Sequence, residues 1–91
     1  MKSGDDLGWR LSFKSSAVKE LEAIPKIEQV RIKKLLTDML DDPRSSGKPL
    51  KGDKRDLWRY RVGRYRILCD IQDDQLCVLV VRVGHRKDIY E

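Results

Sequence analysis

The stretch Leu57-Trp58-Arg59-Tyr60-Arg61-Val62-Gly63-Arg64-Tyr65-Arg66-Ile67-Leu68-Cys69-Asp70-Ile71 decides how this chain folds. Apolar residues recur at every second position on both sides of Gly63-Arg64, the period of two half-buried strands and not of a helix. Glycine at the first central position of a two-residue connection suits a type II′ hairpin turn. That turn sets the register: Val62 faces Tyr65, Arg61 faces Arg66, Tyr60 faces Ile67 and Trp58 faces Cys69. Because side chains alternate across a strand, one face then carries Trp58, Tyr60, Val62, Tyr65, Ile67, Cys69 and Ile71, and belongs to the core. The other carries Arg59, Arg61 and Arg66, with Leu57, Leu68 and Asp70 beyond them.

Downstream, Asp73-Asp74 makes a turn, and Gln75 to Val83 is almost continuously apolar through Cys77, Val78, Leu79, Val80 and Val81, as in a central strand covered on both faces. Upstream, Arg44 to Asp56 is rich in Ser, Gly, Pro, Lys and Asp without periodicity, and reads as an exposed basic loop. Lys26 to Asp41 places Ile32, Leu35, Leu36, Met39 and Leu40 at helical spacing, with Glu28, Arg31, Lys33, Lys34 and Asp38 on the wet side, and Pro43 stops it. Before it, Ser15 or Ser16 is expected to cap a short helix with Val18, Leu21 and Ile24 on one face, ended by Pro25. Trp9 to Phe13 alternates as a first strand. Residues 1–8 are expected to be a flexible tail, and 9–91 a single domain. The order of elements predicts an α+β fold: two N-terminal helices packed on one face of a small, mainly antiparallel four-stranded sheet.

A chain of 91 residues has room for one domain. Its 20 Lys plus Arg against 15 Asp plus Glu leave a net charge of +5, which favours a polyanionic partner. Cys69 and Cys77 lie inside apolar runs without metal-type spacing, and are expected to be reduced core thiols. No stretch approaches the roughly 20 apolar residues of a membrane span, and Met1 to Gly8 lacks the apolar region of a signal peptide. A cytoplasmic location is the expectation.

Between Lys48 and Arg66 stand Lys48, Lys51, Lys54, Arg55, Arg59, Arg61, Arg64 and Arg66, against only Asp53 and Asp56. Like charges directly opposite on a sheet destabilise it by a few tenths to about 1 kcal/mol per pair, a cost that a bound anion relieves. Guanidiniums present paired donors that match phosphate oxygens, so phosphate is the natural ligand. The plainer alternative is a solvated basic face.

The segment Leu57 to Ile67, followed after one more strand by Val83-Gly84-His85-Arg86-Lys87-Asp88-Ile89-Tyr90, resembles the RelE branch of the RelE/ParE toxin superfamily. So do the order of elements and the stretch Pro49-Leu50-Lys51-Gly52. The resemblance spans most of the chain. It implies a fold like that of microbial ribonucleases and a metal-independent, cofactor-free endoribonuclease that cuts mRNA in the ribosomal A site. A 2′-hydroxyl would attack the neighbouring phosphorus, leaving a 2′,3′-cyclic phosphate. It further implies that Arg59 and Arg61 bind and activate the substrate, that Arg66 holds the phosphate, that Arg86 helps the leaving group and that Tyr90 orients the nucleotide. Lys48, Lys51, Lys54, Arg55 and Arg64 would contact RNA. The implied partners are a RelB-like antitoxin, the 70S ribosome and mRNA.

Where some relatives carry a lysine proposed as general base, this sequence has Arg61, and a guanidinium, with its pKa above about 12, is a poor base near neutrality. His85 and Tyr90 are the groups left to serve. Arg82 is expected to form a salt bridge instead. Register matters as well: a two-residue turn at Asp73-Asp74 would put Arg86 opposite the face of Arg66, whereas a three-residue turn or a bulge would bring them together. Two other functions compete, a ParE-like poison of DNA gyrase and a catalytically weak RNA-binding homologue.

Overall fold

A computed structural model describes residues 8–50 and 57–85. Its centre is the hairpin. Strands β3 (Leu57–Val62) and β4 (Tyr65–Gln72) pair antiparallel in the register that the Gly63-Arg64 turn requires, from Val62 opposite Tyr65 to Leu57 opposite Asp70. Gly63 has φ +57°, and among the described non-glycines Leu76 alone shares the left-handed region, so φ is positive only at the first central position. That is the type II′ signature.

The third strand of the meander, β5 (Cys77–His85), pairs antiparallel with β4. A short 3-10 turn, Asp73–Gln75, and Leu76 at φ +49° connect them. This connection is longer than the expected Asp73-Asp74 turn, and β5 accordingly starts two residues later than the apolar run suggested. Gln72 faces Cys77 and Cys69 faces Val80, but Leu68 faces Arg82, so Val81 is an extra residue on β5. Such a bulge shifts the alternation of everything after it by one residue.

The sheet differs from the expected one in two respects. Among the described residues it has five strands, ordered β1-β5-β4-β3-β2, and it is mixed. Strand β1 (Arg10–Phe13) lies parallel to β5, with Arg10 opposite Cys77 and Phe13 opposite Val80. A parallel neighbour needs a long crossover, and no local periodicity announces which distant strand will take that place. The additional strand is β2 (Lys48–Pro49), inside the stretch read as loop, paired with Arg59 and Trp58. Two residues are too few to show a period, and Pro49 is tolerated because β2 is at the sheet edge.

Helices α1 (Ser15–Glu22) and α2 (Lys26–Asp38) follow β1, and α2 runs on into a 3-10 turn, Met39–Asp41. The expected serine cap does not form: Lys14 occupies the cap position of α1 without a side-chain hydrogen bond, and Ser15 is already helical. The buried stripe of α1 is also shifted. Ala17 and Leu21 face inward, four residues apart, while Val18 is 37% exposed. Ala17 is fully buried where α1 lies against β5, a site where a small side chain permits close approach.

Both helices cover one face of the sheet. Ala17, Leu21, Ile32, Leu36 and Met39 pack on Tyr60, Ile67, Cys69, Val78, Val80 and Val83, with Trp58, Val62 and Tyr65 at the margin. This is the face the hairpin pattern assigned to the core. Cys69 and Cys77 are buried free thiols, and burial pushes the Cys69 thiol well above its ordinary pKa, with the neighbouring Asp70 charge adding to the shift. No described helix is long and apolar enough to cross a membrane.

Candidate nucleic-acid interface

Cross-strand pairing places the basic residues in rows on the face away from the helices. Lys48, Arg59, Leu68 and Arg82 form one row, and Arg61, Arg66 and Gly84 the next. Beside these rows a second apolar cluster, Leu57, Leu68 and Val81 with Leu50 and Leu79, gives the face a floor. The bulge decides which β5 residues complete these rows. Without it, Val83 would have stood opposite Arg66. With it, Gly84 stands there, a residue without a side chain to crowd the guanidinium.

Arg61 is exposed, while Arg59 and Arg66 are half-buried. The Nε atom of Arg66 is fully enclosed, so the inner end of its guanidinium is shielded from solvent. Gly47, Lys48, Arg59 and Arg61 line an open cleft of about 260 Å³. A groove of this kind, with cations on its walls and an apolar floor nearby, concentrates positive potential where a phosphate diester would lie.

The expected site residues divide by position. Lys48, Arg59, Arg61 and Arg66 come together on one face. Arg64 sits exposed in the hairpin turn, beyond the rows. His85 goes to the other face: it stands opposite Tyr65, which stands opposite Val62, and the His85 ring meets the Tyr65 ring edge-on at 5.8 Å. Arg82 makes its salt bridge, Nε to Glu20 Oε2 at 3.1 Å, while Glu20 Oε1 accepts the Val83 N–H at 2.8 Å. Glu20 thereby turns Arg82 toward α1 and satisfies the β5 edge just past the end of β1. Lys51, Lys54, Arg55, Arg86 and Tyr90 lie outside the described residues, as does the tail up to residue 7.

Several contributors escaped the sequence reading. The segment before β2 is strapped to the sheet. Tyr60 Oη donates to the Pro43 carbonyl, and Trp58 Nε1 donates to the Ser46 carbonyl at 2.6 Å. Arg44 forms a two-pronged ion pair with Asp73, at 2.8 and 3.0 Å, and its guanidinium lies 5.8 Å from the Trp58 ring centroid. The Arg44 hydrogen bond holds the Asp73 carboxyl below its ordinary range, and burial pushes the Tyr60 phenol well above its own. Gly47, at φ +73°, passes so close to β3 that a Cβ there would stand 2.4 Å from the Arg59 carbonyl oxygen. It lies in the stretch read as a loop, and nothing local signalled which strand it would touch.

Comparison with known proteins gives this geometry a family. The family model described as ParE toxin of type II toxin-antitoxin system, parDE, matches residues 11–90. Toxin RelG of Mycobacterium tuberculosis is 31% identical over 83 residues, covering 90% of this chain and 95% of that protein. In the crystal structure of the M. tuberculosis toxin-antitoxin complex RelBE2, a matching chain has a TM-score of 0.78 at 28% identity, over 89% of this chain and 94% of that one. The isolated Escherichia coli RelE toxin matches with a TM-score of 0.75 at 28% identity, over 85% and 83%. The fold and the basic sheet face thus stand in a defined class, and the chain belongs to the RelE/ParE superfamily of toxins from type II toxin-antitoxin systems. Within that superfamily it is a toxin of the RelE type.

Proposed function

We propose that this toxin is a ribosome-dependent endoribonuclease that cleaves mRNA in the A site and so inhibits translation. The observation that carries the reading is the convergence of Lys48, Arg59, Arg61 and Arg66 on one sheet face, the first three of them lining an open cleft. The 2′-hydroxyl gives up its proton and attacks the adjacent phosphorus, the bond to the 5′-oxygen breaks, and that oxygen takes a proton. A 2′,3′-cyclic phosphate and a 5′-hydroxyl remain. Arg61 and Arg66, cross-strand neighbours, hold the phosphate and neutralise the charge that builds on its oxygens. A preorganised donor of this kind is worth about 100-fold to 1,000-fold in rate.

In this reading Arg59 and Lys48 bind the adjoining backbone, and Lys51, Lys54, Arg55 and Arg64 extend the RNA contact. Arg86 serves the leaving group and Tyr90 orients the nucleotide. Alignment of the 2′-hydroxyl for in-line attack comes from the ribosome, an effect worth up to about 7 to 11 kcal/mol. No metal or cofactor enters the scheme, and the toxin acts in the cytoplasm.

A RelB-like antitoxin holds the toxin inactive, a partnership supported by the RelBE complexes among the similar structures. The basic sheet face suits an acidic segment of that partner, since opposite charge speeds pairing and rejects wrong partners. Ile27 and Val30, exposed on α2, offer apolar ground for an amphipathic one.

Primer extension on cellular mRNA after brief induction tests the function. Cuts at in-frame codon positions are expected. Intact transcripts accompanied by DNA damage would instead identify a gyrase poison, in keeping with the ParE designation of the matching family.

A further inference from the structure

The chain between α2 and β2 crosses from the helix side of the sheet to the basic face in a few residues, and nearly every one is fastened. Pro43 is held by Tyr60, Ser46 by Trp58, and Gly47 lies on the β3 backbone. Lys48 then pairs with Arg59, and the Leu50 N–H donates to the Leu57 carbonyl at 3.0 Å. The charged side chain that ties this strap to the β4–β5 connection is Arg44. Its guanidinium bridges both oxygens of Asp73, in the β4–β5 connection, and stacks toward Trp58. A two-pronged pair of this type fixes direction as well as distance.

We propose that the Arg44–Asp73–Trp58 clamp is a positioning device for the basic cleft: it sets where β2 lies against β3, and so where Lys48 stands beside Arg59 on the cleft wall. Arg44 is not among the residues that line the cleft, and it acts through the strap. An ion pair this open to solvent contributes little to global stability, so its effect falls on geometry. Small misplacements of groups in a reacting site are costly, up to about 100-fold per ångström. The catalytic part of the inference rests on the nuclease reading, and the structural part stands independently of it.

The test uses Arg44→Gln, Asp73→Asn and the double swap Arg44→Asp with Asp73→Arg, with Arg61→Ala as a control in the cleft. Hydrogen exchange of the Leu50 amide should speed up about tenfold or more in each single variant, while amides between β4 and β5 keep the parent rate. Single-turnover cleavage of mRNA on programmed 70S ribosomes, at saturating toxin, should fall about 10-fold to 100-fold in the single variants, with the thermal midpoint within a few degrees of the parent. The swap should recover most of both signals. Parent-like Leu50 exchange in both single variants would overturn the clamp. Changed exchange with parent-like cleavage, while Arg61→Ala is impaired, would overturn its part in the reaction. If Arg61→Ala also cuts at the parent rate, the nuclease site itself is misassigned, and the exchange data alone decide the structural claim.

Discussion

Arg61 is the residue on which the proposed chemistry turns, and its surroundings make it a clean probe. It is exposed and faces another arginine, Arg66, across the hairpin. Arg61→Ala should therefore leave the fold intact, with stability unchanged or raised by a few tenths of a kcal/mol through relief of like charge. Cleavage of ribosome-bound mRNA should drop about 100-fold to 1,000-fold. An equal loss of thermal stability would show that the residue is structural. His85 gives the opposite forecast. Sequence alone left it a candidate base, but the register seats it against Tyr65 on the helix side of the sheet. His85→Gln should cost less than about tenfold in single-turnover rate, below the range of ordinary general-base catalysis. A loss above 100-fold in folded protein would make it the base after all. The arginine face was legible because alternation with period two needs only the identity of neighbours. The side taken by His85 was not, because it depends on one extra residue, Val81, in the β5 ladder.

Elements differ in what anchors them, and the helix α1 shows it. Leu21 is buried under the sheet while Val18 is partly open to solvent, so Leu21→Ala should cost about 2 to 5 kcal/mol in chemical denaturation. Val18→Ala should stay within about 1 kcal/mol. Reversal of that order would mean the helix is rotated from the position described. Val outranks Ala in hydrophobicity, so pattern reading chose Val18; close approach to β5 selected Ala17 instead. The strap before β2 carries a pH signature. Asp73 has its pKa lowered by Arg44, and a depressed carboxylate contributes stability that is present above its unfolded value and lost as pH falls through the folded one. Asp73→Asn should therefore lower the thermal midpoint near pH 6 by no more than a few degrees, as suits a solvent-screened pair, and the gap to the parent should close as pH falls below the ordinary 3.8 of the free carboxyl. A gap that persists undiminished at pH 2 would place the effect outside the ion pair.

At the scale of the molecule, the net charge of +5 is gathered in part onto one sheet face, away from the helices. Binding driven by contacts to phosphates weakens as salt rises, because each contact releases counterions from the nucleic acid. Affinity for vacant 70S ribosomes should fall steeply between about 50 and 200 mM salt, and Arg61→Ala should reduce the slope of log affinity against log salt by about 1. A salt-independent affinity would assign the basic face to solvation alone. Helices on one side and guanidiniums on the other also leave the toxin two chemically distinct surfaces, one apolar in part and one cationic.

The sequence by itself determined the hairpin, its register and the separation of an apolar face from an arginine face, together with the resemblance to the toxin family. These are local properties: a two-residue turn with glycine first, and alternation along two adjacent strands, leave only one pairing that buries the aromatic side. Tertiary structure alone decided the parallel β1–β5 pairing, the edge strand at Lys48–Pro49, the Val81 bulge and the Arg44–Asp73 clamp. Each of these joins residues distant in the chain or turns on a shift of a single position. Neither leaves a period in the sequence, because the partners are chosen by packing of the finished sheet and not by their neighbours in the chain.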